Sequence, residues 1–543
     1  IIERNLIMYK EENKNIARKS VLKAAIEALT LRRKNSTLAP KDYIRKVKEF
    51  YKKDESDPRA FIVDALSEET ITRWEEFYDS VIQDRTARSI KVAYLSGPNP
   101  ENDLTEMTNM GLLPENIWAF ESDAKIYNEA VISALASKFP FIKLIKANIG
   151  DFFEVSPQKF DLIYLDFCGP LPSKKAGQKT LKAITSILKY HALSSIGVMI
   201  TNVSLPSKEQ NANEHKNIVN LVASYLYPKS TLESNNPEWN CTDGAISKGY
   251  SLDEWHKKVE CEIEDFYGQY ITRLLVDLIS VISPYDNFTS SHSLYKNMFN
   301  ISNYNDLTKS VNDLFHFDSN GNGGDIIVDS GLFPILWTIA SIDKKSNKKD
   351  ENYYQDIYYD NDFNDYAQSF LSQMSANGNA HDLIKNVSNM HFLLDEGRTE
   401  NDFYSDSLLN LNKINWHQSV YPFCDLFLFH QIKEVLFRQL SVPYHVNMER
   451  TMRWKYKAKD TNMYMDMLVL DECRYLYDWM PSLDMFYSGM MDIERQFSFR
   501  FILDAVAKHR MIYNNEFFYG TASVSRFETD YVEKVLSVRK NII

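Results

Sequence analysis

The feature that most constrains this chain is an alternation across residues 91–204, in which short apolar runs are separated by helical stretches of about ten to fifteen residues. Residues 91–97 (KVAYLSG), 116–123 (NIWAFESD), 141–153 (FIKLIKANIGDFF), 160–166 (FDLIYLD) and 197–204 (GVMITNVS) read as strands. Helices are expected over 101–110, 124–138, 179–191 and 209–227. This order builds parallel βαβ units with right-handed crossovers, so the fold class is α/β. Sheets of this kind bind ligands in a crevice outside the carboxyl ends of their strands.

The centre of the stretch is FDLIYLDFCGPLPS, residues 160–173. Its apolar run ends on Asp166 and breaks into Phe167, Cys168, Gly169 and Pro170, which delivers a carboxylate to a sharp loop. Gly97, followed by Pro98, Asn99 and Pro100, closes the first strand, and Glu121 closes the second. Asp123 suits a helix N-cap and Asp151 suits a turn as well as a ligand contact. Cys168 reads as a small packed residue, since no histidine lies near it in sequence to activate a thiolate.

By these residues the segment from Lys91 to Pro228 resembles the class I S-adenosylmethionine-dependent methyltransferases, which implies a Rossmann-like methyltransferase domain. In that resemblance the cofactor-binding positions are Gly97 and Asn99 in the first loop, Glu121 on the ribose hydroxyls and Asp151 at the adenine. Asp166, Phe167 and Pro170 are the implied catalytic positions. The first loop departs from the family pattern, because Pro98 and Pro100 replace glycines and remove two N–H donors. The DFCGP run is similar to, without matching, the Asp/Asn-Pro-Pro-aromatic loop of amino-group methyltransferases and the Asp-Pro-Phe-Gly loop of a tRNA guanine methyltransferase family.

With 543 residues, more than one core is expected. The reading is a helical N-terminal region (1–88), the Rossmann-like domain (89–230) and a large, mainly helical C-terminal region (231–543) fit for target recognition or partner binding. No window approaches 18 uncharged apolar residues, since the best, 270–285, contains Arg273 and Asp277. Five cysteines without a CxxC pair argue against a zinc ribbon or a disulfide frame. Together these predict a soluble, cytoplasmic protein with no membrane association and no metal.

The net charge of −12 disfavours a chain coated in nucleic acid but leaves room for a local basic groove. Residues 1–55 carry 15 Lys and Arg against 8 Asp and Glu, and Arg32, Arg33, Lys34, Lys41, Arg45, Lys46, Lys48, Lys52 and Lys53 either meet phosphates or form a solvated helical face. Three helices are expected there, over 15–33, from Pro40 to 51, and over 68–81. Beyond the sheet, helices are expected over 251–282, 326–342 and 419–440, a loop at 320–324, and a mobile Tyr/Asp-rich segment over 343–366.

Arg450, Arg453, Trp454, Lys455 and Lys457 place cations among aromatics, the mixture that holds single-stranded nucleic acid. The same run also reads as a β-ribbon with Trp454 and Tyr456 inward and Arg453, Lys455 and Lys457 outward. The leading expectation is therefore methyl transfer from S-adenosylmethionine to a nucleic-acid base. The alternative is a methyltransferase-like binding or scaffold protein that has lost turnover. A nicotinamide-dependent oxidoreductase is disfavoured, since no G-x-G-x-x-G follows the first strand.

Overall fold

In the computed structural model the chain is described over residues 2–53, 66–167, 169–173, 180–227, 248–283, 361–375, 405–411, 442–458, 460–478 and 538–542, with single positions between. Its organising element is an eight-stranded sheet. Five strands come from the stretch singled out by the sequence: β1 (Val92–Leu95), β2 (Ile117–Glu121), β3 (Lys143–Lys146), β4 (Phe160–Asp166) and β5 (Leu193–Leu205). Three more come from the C-terminal region: β6 (His445–Ala458), β7 (Thr461–Asp471) and β8 (Lys540–Ile542). The order across the sheet is β3-β2-β1-β4-β5-β7-β6-β8. Strands β1 to β5 are parallel, β7 runs antiparallel between β5 and β6, and β8 pairs parallel with β6.

The expected α/β class is thus present, but the sheet does not end near residue 230. Strands β6 and β7 pair antiparallel up to Ala458 and Thr461 and extend the sheet beyond β5. The interior of β4, from Leu162 to Leu165, is fully buried, as expected of a parallel strand covered on both faces.

The helices between the strands are α4 (Glu101–Asn109), α5 (Ala124–Ala136), α6 (Ile149–Val155), α7 (Thr180–Lys189) and α8 (Ala212–Leu226). Helix α6 corrects the strand expected through Phe153. Asn148 accepts the N–H of Gly150 and caps a helix, and Ile149, Phe152 and Phe153 then fall on one helical face turned to the core. Before the sheet stand α1 (Ile2–Leu29), α2 (Tyr43–Lys52) and α3 (Glu68–Ile82), close to the three helices expected there, with α1 starting earlier. After it come α9 (Leu252–Cys261) and α10 (Ile263–Asp277), separated at Glu262 where a continuous helix was expected. Helix α11 (Asn361–Met374) takes up the last part of the expected mobile segment. The expected loop at 320–324 and helices at 326–342 and 419–440 fall outside the described residues.

Among the described residues no helix is long and apolar enough to cross a membrane.

Candidate functional site at the carboxyl edge of the sheet

Register brings the candidate residues to one edge. Leu95 pairs with Phe120 and Tyr94 with Tyr164, so the chain beyond Leu95, Glu121 on β2 and Asp166 on β4 emerge on the same side. Gly97 adopts φ +58°, a left-handed conformation that glycine takes without strain. A side chain there would meet nothing within 4 Å, so the space over the first loop is open. The loop itself is held from below, as the buried Tyr94 hydroxyl donates to the Pro100 carbonyl at 2.6 Å. From the side, Ser133 of α5 donates to Glu101 at 2.8 Å and lies 3.4 Å from the Asn99 side-chain oxygen.

Glu121 is half-buried, and its Oε1 accepts the Asp123 backbone N–H at 2.8 Å. Its second oxygen accepts no hydrogen bond among the described residues. Asp123 is the N-cap of α5, bonded to the N–H groups of Lys125 and Ile126, which hold its carboxyl below the usual carboxylate range. Asp151 does not sit at the end of β3: it is an exposed residue of the first turn of α6, 3.9 Å from Lys182 of α7. The place after β3 belongs to Asn148, a residue the sequence reading passed over because the following GD dipeptide looked like the turn.

Asp166 is held at both oxygens. Asn202, its register partner on β5, donates to Oδ1 at 2.7 Å, and Lys14 of α1 lies 2.9 Å from Oδ2. The same Asn202 amide donates to the Tyr456 hydroxyl at 2.7 Å, which ties β6 into the site. A second acid, Asp103 in the first turn of α4, is buried and paired with Arg18 of α1 at 2.5 Å. Burial raises its pKa to about 6, with the Arg18 charge opposing the rise and Asp166 adding to it. Tyr164 is pushed well above the ordinary tyrosine range by burial and then by Asp166 and Asp103, so its hydroxyl keeps its proton. That hydroxyl and the Asn202 side-chain oxygen are buried with no hydrogen-bond partner among the described residues. Asp103, Lys14, Arg18 and Asn202 were not legible as site residues, since each is placed by tertiary packing. A cation on an early helix carries no signal of the strand end it will meet.

Phe167 donates its N–H to the Asn202 carbonyl at 2.9 Å, and Pro170 is buried. The Leu171 N–H donates to the Tyr267 hydroxyl oxygen at 3.2 Å, while Tyr366 and Gln373 donate to the carbonyls of Pro172 and Ser173 at 3.0 Å each. The loop after β4 is therefore fastened by α10 and α11 from the C-terminal region.

The basic run in β6 forms the expected β-ribbon with Trp454 and Tyr456 buried, but its cations do not all lie outward. Arg453 does not face outward: it is 2% exposed, and burial, with Arg539 adding to the effect and Asp466 opposing it, lowers its pKa to about 9. Trp454 is buried as well. Lys455 bonds Glu264 at 2.8 Å, and Arg450 donates to the Asn35 carbonyl at 3.3 Å, which leaves Lys457 as the exposed one of the four cations. The physical reason is that β6 lies inside the sheet, between β7 and β8, and is packed by α1 and by the helical turn Leu278–Ile282. Most of the N-terminal cations are also engaged. Lys41 meets Asp79, Arg45 meets Glu68 and Glu75, Lys46 meets Asp42 and Lys52 meets Asp64.

Neither a protein-family model nor a curated protein matches the chain.

Proposed function

We propose that the chain is a class I S-adenosylmethionine-dependent methyltransferase whose acceptor is a nucleic-acid base. The observation that carries this reading is the strand order, in which a reversed strand enters between the fifth and sixth strands of an otherwise parallel arrangement. In that order the ends of β1, β2 and β4, where the class I methyltransferase resemblance puts its cofactor and acceptor positions, lie on one edge of the sheet.

The residues fit the cofactor at three points. Open space lies over Gly97, Glu121 keeps an oxygen for a ribose hydroxyl, and an unpartnered Tyr164 hydroxyl is buried beside Asp166. Gly97, Asn99 and Glu121 would hold the cofactor, with Asn148 taking the position after β3 first given to Asp151. When bound, the cofactor supplies a methyl group activated on a positively charged sulfur. Asp166 accepts a hydrogen bond or a proton from the acceptor nitrogen, and the Tyr164 hydroxyl donates beside it. Lys14 and Asn202 fix the Asp166 carboxylate in place, so positioning rather than covalent chemistry is the protein's contribution. Nucleic acid as the acceptor now rests on Lys457, since Arg453 and Trp454 serve the sheet and Arg450 and Lys455 are engaged within the chain.

A second reading, a binding protein without turnover, is favoured by one observation: both Asp166 oxygens already have partners within the chain. The two separate in an assay of tritiated methyl incorporation into total RNA and DNA. Incorporation by the parent chain that Asp166→Ala abolishes supports transfer. Absence of incorporation with retained cofactor binding supports the second reading.

A further inference from the structure

At the opposite, amino-terminal edge of the sheet lies a cleft of about 570 Å³, within the range of small-molecule sites. It is lined by residues from six parts of the chain, among them Arg33, Arg85, Lys159, His191, Ser194 and Glu472. We propose that this cleft binds the phosphate of a nucleotide-sized phosphomonoester, with Arg33 and Arg85 as its anion-holding pair.

Arg33 is 4% exposed. Its Nε donates to the carbonyls of Ile82 at 2.8 Å and Gln83 at 3.0 Å, which fixes the guanidinium plane at the C-terminus of α3. Its Nη1 is buried with no hydrogen-bond partner among the described residues. A buried guanidinium with an idle donor is costly unless an acceptor comes to it.

Arg85 stands near enough to depress the proton affinity of Arg33, second only to burial, and forms no ion pair among the described residues. Two like charges facing one cleft attract an anion more strongly than either alone. The other charges are largely settled: Glu472 pairs with Lys159 at 3.3 Å and Asp478 with Arg474 at 2.9 Å, while burial lowers the pKa of His191, whose ring lies 3.8 Å from Glu472. The buried acids Asp161 and Asp471 attract Arg33 from a distance; both Asp471 oxygens accept N–H groups, from Leu38 and Cys473, whereas Asp161 accepts the Lys91 N–H at Oδ2 and its Oδ1 is buried without a hydrogen bond among the described residues. An uncompensated cationic pair is notable in a chain of net charge −12. Guanidinium forks match phosphate oxygens two at a time, and Ser194 stands in the same lining, beside Ser195, whose hydroxyl donates to Glu472 at 3.3 Å.

The test is calorimetric titration of the full chain at low salt with uridine 5′-monophosphate and, separately, uridine. Binding of the monophosphate at least tenfold tighter than uridine is expected, with no displacement by saturating S-adenosylhomocysteine, so failure here is distinct from failure at the other edge. Arg85→Ala is expected to weaken the monophosphate tenfold or more and to flatten its salt dependence. Arg33→Lys, which retains charge but loses the fork, is expected to weaken it as well. Competition by a 20-mer single-stranded oligonucleotide assigns the phosphate to a nucleic-acid chain, and lack of competition assigns it to a free nucleotide. Equal affinity for uridine and its monophosphate, absence of binding, or an unchanged Arg85→Ala overturns the proposal.

Discussion

At the carboxyl edge of the sheet, Asp103 and Asp166 meet cations brought by α1, whereas at the amino edge Arg33 and Arg85 face a cleft with no ion pair of their own among the described residues. The first arrangement is compensated inside the chain and the second awaits a charge from outside. Compensated pairs hold a fold together, while uncompensated like charges weaken it and are retained where a ligand completes them. The contrast separates the cations of the sequence by role: Arg18 and Lys14 belong to the architecture of the acidic edge, and Arg33 belongs to a site.

The largest effect should come from breaking the buried pair at the acidic edge. Arg18→Ala leaves Asp103 buried without its cation and is expected to cost about 3–5 kcal/mol at pH 7.5, measured by urea denaturation. The cost should shrink at pH 5. Asp103 has a folded pKa of about 6, above its ordinary 3.8, so the folded state binds more protons between about pH 4 and pH 6. Stability from this group is therefore full below pH 4 and is lost as pH rises through 6. With the carboxyl protonated, little of the pair remains to break. An equal cost at both pH values would remove Asp103 from the pair's energetics.

Next in size, Asp166→Ala is expected to cut methyl transfer by on the order of a hundredfold, while cofactor affinity stays near that of the parent. Full turnover in a folded variant would strip Asp166 of its role. At the amino edge the sign reverses. Removing one of two facing like charges, Arg85→Ala should raise stability by less than about 1 kcal/mol in ligand-free, low-salt buffer, seen as a higher melting temperature. A fall instead would make Arg85 a structural cation and erase the contrast between the edges. Smallest of all, Lys457→Ala should change stability by no more than about 0.5 kcal/mol, because its side chain is exposed.

Much of the fold was legible because periodicity reports burial. Strands β1, β2 and β4 and the helices between them follow the alternation of apolar runs, and Asp123 capped its helix as its type suggested. The misreadings share a cause. In residues 141–153 a continuous apolar pattern concealed a switch of period at Asn148, where a side-chain cap starts a helix. In β6, alternation predicts one buried and one wet face, but a strand enclosed by β7 and β8 and covered by α1 buries Arg453 along with Trp454. The partners of Asp166 could not be read, since Lys14 and Asn202 reach it across 152 and 36 positions of sequence and only the folded sheet joins them.

The central claim, that the carboxyl edge holds an adenosyl cofactor, is tested most directly by calorimetric titration of S-adenosylhomocysteine into the parent chain and Glu121→Gln. One-site binding to the parent is predicted, weakened in the variant by about 1.5–3 kcal/mol, the worth of a hydrogen bond to a charged group. No binding to the parent, or equal binding to both, would contradict it.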